Sequence, residues 1–194
     1  MLKMAVLLSG SGRTLDNFYE RILTGTMNAE ILVVISNVDD ALGLDKAKGY
    51  GYPAFHAVGN AATNEILADY EIELIALAGY LKLYAPPEKL KQRVLNIHPA
   101  LIPSFCGDGF YGHHVHEAVK ARGCQVSGCT VHFANEVYDE GPIVVQKCVA
   151  IDDADTPDDI ADTVFAIECE AFPEAINLVD EKGVDYFWNR QGRK

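Results

Sequence analysis

Positive charge is scarce in this sequence. Sixteen Lys and Arg stand against 28 Asp and Glu, a formal net charge of −12, and between Glu136 and Asp185 the only bases are Lys147 and Lys182. Nucleic-acid backbone is gripped by many cations at once, so this deficit argues against DNA or RNA as a partner. A small phosphorylated ligand remains allowed, because backbone N–H groups at a helix start hold one anion whatever the net charge. No apolar stretch approaches the about 18 residues of a membrane span. The first residues also lack the basic start, long apolar run and cleavage site of a secretion signal. Cysteine is present but unpatterned: Cys106, Cys124, Cys129, Cys148 and Cys169 are odd in number and form no C-x-x-C pair. That speaks against a disulfide framework and against structural zinc. Together these absences predict a cytoplasmic chain with no membrane and no nucleic-acid partner.

What is there is an ordinary globular composition, 49% hydrophobic and 23% charged over 194 residues, enough for one core. We read a single domain over 1–185 and a polar, frayed tail over 186–194. Met4-Ala-Val-Leu-Leu8 is an apolar run of strand length, Ser9-Gly-Ser-Gly12 a turn, and Leu15, Phe18, Ile22 and Leu23 recur at helical spacing. Ile31–Ser36 repeats the pattern, with a helix over 41–48. A short strand at 53–56, a helix over 61–70, a strand at Leu74–Ala78, a helix opened by Pro86 and Pro87, and a strand at Val94–His98 follow. Runs apolar on both faces belong in a parallel sheet covered by helices on each side. Beyond a helix over 116–121, the strands 129–133 and 143–149 are close enough in sequence to pair antiparallel. The expectation is an α/β fold: a Rossmann-like open sheet, mostly parallel with an antiparallel C-terminal part. Thr156 reads as the N-cap and Pro157 as the first residue of a long final helix, with Ile160, Val164, Ile167, Ala171, Ala175 and Leu178 on its apolar face.

Several side chains carry chemistry. Asn96 and His98 are alternate residues of one strand, so both polar groups leave it on the same side. Asn offers a neutral donor to a developing oxyanion, and His titrates near neutral pH. A buried, satisfied histidine is the plain alternative. Asp139 lies in the connection between two strands, where an Asp ordinarily makes a turn. Folded back toward the end of Val94–His98, its carboxylate would raise the pKa of His98. The Gly-rich turn and Arg13 suit an anion, yet Leu15 replaces the third glycine of a dinucleotide fingerprint and no Walker lysine is present. Glu168 sits at the edge of the apolar stripe of the last helix, where a carboxylate needs a partner, either a ligand group or a backbone donor. Residues 152–159 are rich in Asp but lack the Gly and Glu of a calcium loop. His113, His114 and His116 read as solvent-facing residues at a loop and helix start, so no metal is expected.

Three segments taken together, Asn96-Ile-His-Pro-Ala-Leu-Ile-Pro103, Gly128-Cys-Thr-Val-His-Phe133 and Asp139-Glu-Gly-Pro-Ile-Val-Val-Gln146, resemble the formyltransferase family that uses 10-formyltetrahydrofolate. Within it they are most similar to the branch acting on glycinamide ribonucleotide in purine synthesis. The likeness runs from Leu2 to about Val179. It implies a formyltransferase fold, 10-formyltetrahydrofolate as donor and co-substrate, no metal, and a monomer or homodimer. It also implies that Gly12, Arg13 and Thr14 hold the substrate phosphate and that Glu168 touches the ribonucleotide. By the same likeness Gly79, Tyr80, Leu81, Lys82, Leu83, Asn96, Asn135, Glu136 and Val137 line the folate pocket, and Asn96, His98 and Asp139 form the catalytic trio, with Asp139 keeping His98 protonated. Three departures stand out. The segment 57–73 is shorter than the family norm and has no arginine between Ala57 and Ile72, the segment 104–116 is longer and Gly-rich, and Arg13 and Thr14 replace the small residue and Asn more usual in the phosphate loop. Other acceptor amines, such as an amino sugar nucleotide, and hydrolysis of the formyl folate share the trio. A noncatalytic nucleotide-binding protein would need only the Gly-rich turn and leaves the trio without a purpose.

Overall fold

A computed structural model describes residues 1–191. The strands are β1 (Leu2–Leu8), β2 (Ala29–Ser36), β3 (Ala54–His56), β4 (Leu74–Leu77), β5 (Val94–His98), β6 (Val126–Phe133) and β7 (Ile143–Ala150). The helices are α1 (Arg13–Leu23), α2 (Leu42–Gly49), α3 (Asn60–Leu67), α4 (His113–Arg122), α5 (Pro157–Lys182) and α6 (Val184–Gln191). All seven strands form one sheet in the order β3-β2-β1-β4-β5-β6-β7. Pairing is parallel from β3 to β5 and antiparallel from β5 to β7, as the apolar runs and the short connection before β7 predict.

Alternation along β1 divides the interior. Met4, Val6 and Leu8 pack with Leu15 and Phe18 of α1 and with Val164 and Phe172 of α5. Ala5 and Leu7 pack on the other face with Leu67 of α3 and with Tyr84 and Leu90. Phe18 meets Phe172 edge to face with ring centroids 5.0 Å apart, a favoured aromatic geometry. The chain reverses direction across the sheet between β1 and β4, so the loops leaving these two strands splay apart at their C-terminal ends. An open α/β sheet binds its ligands in such a crevice.

Among the departures from the sequence expectation, two concern the kind of element formed. After Pro86 and Pro87 there is only one 3-10 turn, Glu88–Leu90. Proline pushes its predecessor toward extended backbone, and β5 begins at Val94, too soon for a full helix. The tail expected to be frayed beyond Asp185 is helical to Gln191. Phe187 is 2% exposed, Phe187 and Trp188 both lie against Phe133, and Trp188 Nε1 donates to the Gln92 carbonyl at 3.1 Å. Two adjacent aromatics outweigh the polar composition of this segment. Residues 192–194 of the expected tail lie outside the described residues.

The start of α5 follows its sequence signals. Thr156 Oγ1 accepts from Asp159 N–H at 3.2 Å, the Asp159 carboxylate accepts from Thr156 N–H at 2.8 Å, and Pro157 opens the helix. Thr156→Ala removes half of this box and is expected to destabilise the protein by about 1 kcal/mol, read as a lowered denaturation midpoint in urea with unchanged slope.

Candidate active site

One cavity of about 460 Å³ opens at the crevice. Its first wall is the turn after β1. Gly12, the residue before α1, has φ 73°, and a Cβ there would meet Gly43 Cα of α2, so this position requires glycine. Gly43 N–H donates to the Gly10 carbonyl at 3.1 Å, which ties the turn to α2. The first turn of α1 has no side-chain cap, leaving its N–H groups available to an anion. Arg13 and Thr14 line the cavity. The Arg13 guanidinium stacks 3.8 Å over the Phe165 ring and reaches Asp162 at 3.3 Å.

The loop after β4 makes a second wall. Ser9 N–H donates to the Gly79 carbonyl at 3.1 Å, and Ser9 Oγ accepts from Leu81 N–H at 3.0 Å. These bonds hold Gly79–Tyr84 across the crevice from the turn after β1. Leu81 and Leu83 are exposed at the mouth, whereas Tyr80 is buried.

Between these walls the end of β5 meets the β6–β7 connection. His98 is 3% exposed. Its Nε2 lies 2.8 Å from the Phe105 carbonyl, so Nε2 carries a proton and donates. Its Nδ1 is 3.6 Å from Asp139 Oδ2. That oxygen accepts from Gly107 N–H at 2.9 Å, and Asp139 Oδ1 lies 3.4 Å from His132 Nε2. Asn96 Nδ2 is 3.2 Å from the same His132 nitrogen. Phe105 and Asp139 have positive φ, 49° and 60°, uncommon for residues other than glycine and a form of strain that gathers at functional sites.

The electrostatics correct one expectation. Burial lowers the pKa of His98, and the charge of Asp139 and the bond to the Phe105 carbonyl do not fully offset it. In the free protein the net shift is therefore downward, opposite to the rise expected from Asp139 alone. Burial pushes Asp139 up, but its bonds from His132 and Gly107 N–H and the nearby His98 leave its carboxyl below the ordinary value. Glu168 faces the cavity from α5, and burial pushes its carboxyl up to about 7 while Arg13 pulls it down.

Most of the residues singled out in the sequence line this cavity: Arg13, Thr14, Gly79–Leu83, Asn96, His98, Asn135, Val137, Asp139 and Glu168. Two do not. Gly12 lies beneath, shaping the turn, and Glu136 points outward to Lys91 at 3.3 Å. The histidine cluster divides. His113 and His114 are exposed and face Asp158 and Glu117, but His116 is 5% exposed, and burial lowers its pKa to about 4. The reading of His116 as solvent-facing is thus wrong, because α4 begins three residues earlier than expected and turns that side inward. Among the described residues no group of three or more His, Cys, Asp or Glu is arranged to hold a metal ion. His132 was given no role from sequence. Its signal was its place two residues after Thr130 on the same strand face, opposite Asn96 once β5 and β6 pair.

Residues 2–176 match the formyl transferase family. The chain is 34% identical, over 98% of its length, to the chloroplastic phosphoribosylglycinamide formyltransferase of Arabidopsis thaliana, covering 68% of that protein. It is 35% identical to the trifunctional purine biosynthetic protein adenosine-3 of Gallus gallus, over 92% of this chain and only 18% of that one. The crystal structure of glycinamide ribonucleotide transformylase 1 from Symbiobacterium toebii superposes with a TM-score of 0.85 at 36% identity, covering 93% of this chain and 88% of that chain. The match over most of its length and the shared fold show that the chain belongs to the formyl transferase family.

Proposed function

We propose that this protein transfers the formyl group of 10-formyltetrahydrofolate to the glycine amine of glycinamide ribonucleotide, a step of purine biosynthesis. One observation carries the reading: a single cavity is lined by Asn96, His98 and Asp139 together with an anion-type helix start and the loop Gly79–Tyr84. A phosphate on the N–H groups after Gly12, helped by Arg13, would fix the ribonucleotide, with Glu168 beside its sugar. The folate would lie along Gly79–Leu83, Asn135 and Val137. The amine nitrogen attacks the formyl carbon, a C–N bond forms, and the carbonyl oxygen becomes an oxyanion stabilised by Asn96 N–H and His98. The nitrogen, cationic after attack, gives a proton to the bare Nδ1 of His98, where the growing negative charge and Asp139 offset burial and favour the imidazolium. Collapse breaks the bond to N10 of the folate, and the same proton passes from His98 to that nitrogen. A neutral buried imidazole that becomes charged only as the oxyanion forms stabilises the transition state more than the ground state, which is the requirement for catalysis.

The acceptor could differ, because Phe110 and Tyr111 of the lengthened 104–116 segment also line the cavity. The test is to mix purified protein with glycinamide ribonucleotide and a 10-formyl folate analogue and to follow loss of the formyl group by absorbance. Amine-dependent turnover is expected. Loss without amine would mean a hydrolase, and no turnover with intact folate binding would mean another amine.

A further inference from the structure

Two carboxylates of α5 compete for one guanidinium, and the outcome is the reverse of what charge alone predicts. Ala161, Phe165 and Glu168 line the cavity at the i, i+4, i+7 spacing of one helix face. Arg13 enters from the start of α1 and lies over the middle of the three, with Cζ 3.8 Å from the centroid of the Phe165 ring. Its Nη2 donates to Asp162 Oδ1 at 3.3 Å, a pair whose side chains are 54% and 76% exposed. Glu168 stands three residues beyond Phe165, about 4.5 Å further along the axis. It feels the charge of Arg13, yet among the described residues the ion pair of Arg13 is with Asp162. An exposed pair contributes little, whereas a carboxylate shielded from water attracts a cation more strongly. The guanidinium therefore rests at the weaker of the two charges. The Phe165 stack accounts for this, because a ring face holds a cation while leaving its N–H donors free.

We infer that Phe165, with Asp162 as a tether, is a positioning residue that holds Arg13 off Glu168, so that the empty subsite keeps a free guanidinium for the phosphate and a free carboxylate for a hydroxyl or amine donor of the same ligand. This rests on the reading of the cavity as a ribonucleotide site. Paired with each other, the two groups would be mutually satisfied, and a ligand would have to break that pair before binding. Held apart, they recognise a molecule with an anion at one point and donors at another, and a ligand lacking the anion loses half of the subsite. Phe165 acts here through Arg13. The ionisable neighbours of Glu168 are Arg13, Cys129 on β6 and Cys169 on α5. Burial pushes the Cys129 thiol up to about 12 and raises that of Cys169, so the guanidinium is the charge that decides how the carboxyl titrates.

The experiment titrates Glu168 in the ligand-free protein by carbon NMR of its carboxyl, with kcat and KM measured beside it. Phe165→Leu removes the ring face but stays apolar, and Phe165→Tyr keeps the face. In Phe165→Leu the guanidinium should settle on Glu168, and the carboxyl, about 7 in the unsubstituted protein, should titrate about 1–3 pH units lower. KM for glycinamide ribonucleotide should rise roughly tenfold, the low end of what one charge-assisted hydrogen bond contributes. The KM for formyl folate and kcat should stay within about threefold. Phe165→Tyr should match the unsubstituted protein in every reading. Water let in by a smaller side chain would also lower the titration, and an Arg13→Ala background separates the two causes. There Phe165→Leu should leave the titration where Arg13→Ala alone puts it. A fall that persists without Arg13, an unmoved titration in Phe165→Leu, or equal changes in the Leu and Tyr variants would overturn the inference. So would a lowered titration with KM for the ribonucleotide unchanged. Inorganic phosphate gives a reading free of turnover: its binding, followed by calorimetry, should weaken in Phe165→Leu and hold in Phe165→Tyr. Absence of any transfer to glycinamide ribonucleotide, with the titration and phosphate results as expected, would overturn the proposed function alone.

Discussion

Asp139→Asn is expected to lower kcat for formyl transfer by about 10²–10⁴-fold, the range of a lost general acid–base partner, with little change in KM or in thermal midpoint. Asn is among the few residues that tolerate the positive φ that Asp139 adopts, so the loop should keep its path. Its side-chain oxygen can still accept from Gly107 N–H, the bond that ties the 104–116 segment to the trio. What disappears is the charge. His98 is disfavoured as a cation by burial, and Asp139 is the largest influence opposing that. Without it the imidazolium needed beside the oxyanion has no counter-charge in a site that water scarcely reaches. His98→Ala should fall in the same range, and the pair combined should fall little further than either alone, because the two act as a unit. Stopped-flow absorbance under saturating substrates measures this. Turnover near normal in both single variants would sink the mechanism.

How much of this was legible in the sequence follows from how local each signal is. Met4–Leu8 and Ile31–Ser36 announce their strands because a doubly covered strand must be apolar throughout, and Thr156-Pro157 announces α5 because capping involves only neighbours in sequence. The trio was legible because alternation along one strand puts Asn96 and His98 on one side. The resemblance to a known family supplied the roles proposed for them and for the residues proposed to meet folate and phosphate. The remainder depends on what arrives from elsewhere in the chain. α6 was missed because Phe187 and Trp188 matter only once Phe133 is beside them. His116 was misread because its burial depends on where α4 begins. His132 stayed silent because its register opposite Asn96 depends on a hairpin with an irregularity between Val131 and His132. The direction of the His98 shift was misjudged because a charge pair is visible in sequence and the depth of its burial is not.

Glu168→Gln is expected to raise the thermal midpoint at pH 8 while weakening the binding of the ribonucleotide. In the unfolded chain the carboxyl titrates near its ordinary 4.5, and in the folded chain burial pushes it up to about 7. The fold therefore prefers the neutral acid. This contribution is whole below pH 4.5, declines as the pH rises toward 7, and above that the ionised form costs at most about 3 kcal/mol, less whatever water the cavity admits. Gln carries no charge and escapes the penalty, so its advantage should appear at pH 8 as several degrees in midpoint and vanish near pH 4. Parallel midpoint curves for the two proteins across that range would refute the argument. Ligand binding should show the opposite sign. A ribonucleotide offers hydroxyl and amine donors, which an ionised carboxylate accepts more strongly than an amide, so the wild-type affinity should fall as pH drops through 7 while the Gln variant stays flat. A carboxylate held at the edge of an apolar helix stripe, with Arg13 too far engaged on Phe165 and Asp162 to neutralise it, destabilises the empty protein and is satisfied when a donor enters. On this account the fold gives up stability at Glu168 so that the ligand, and not the protein, supplies the missing bond.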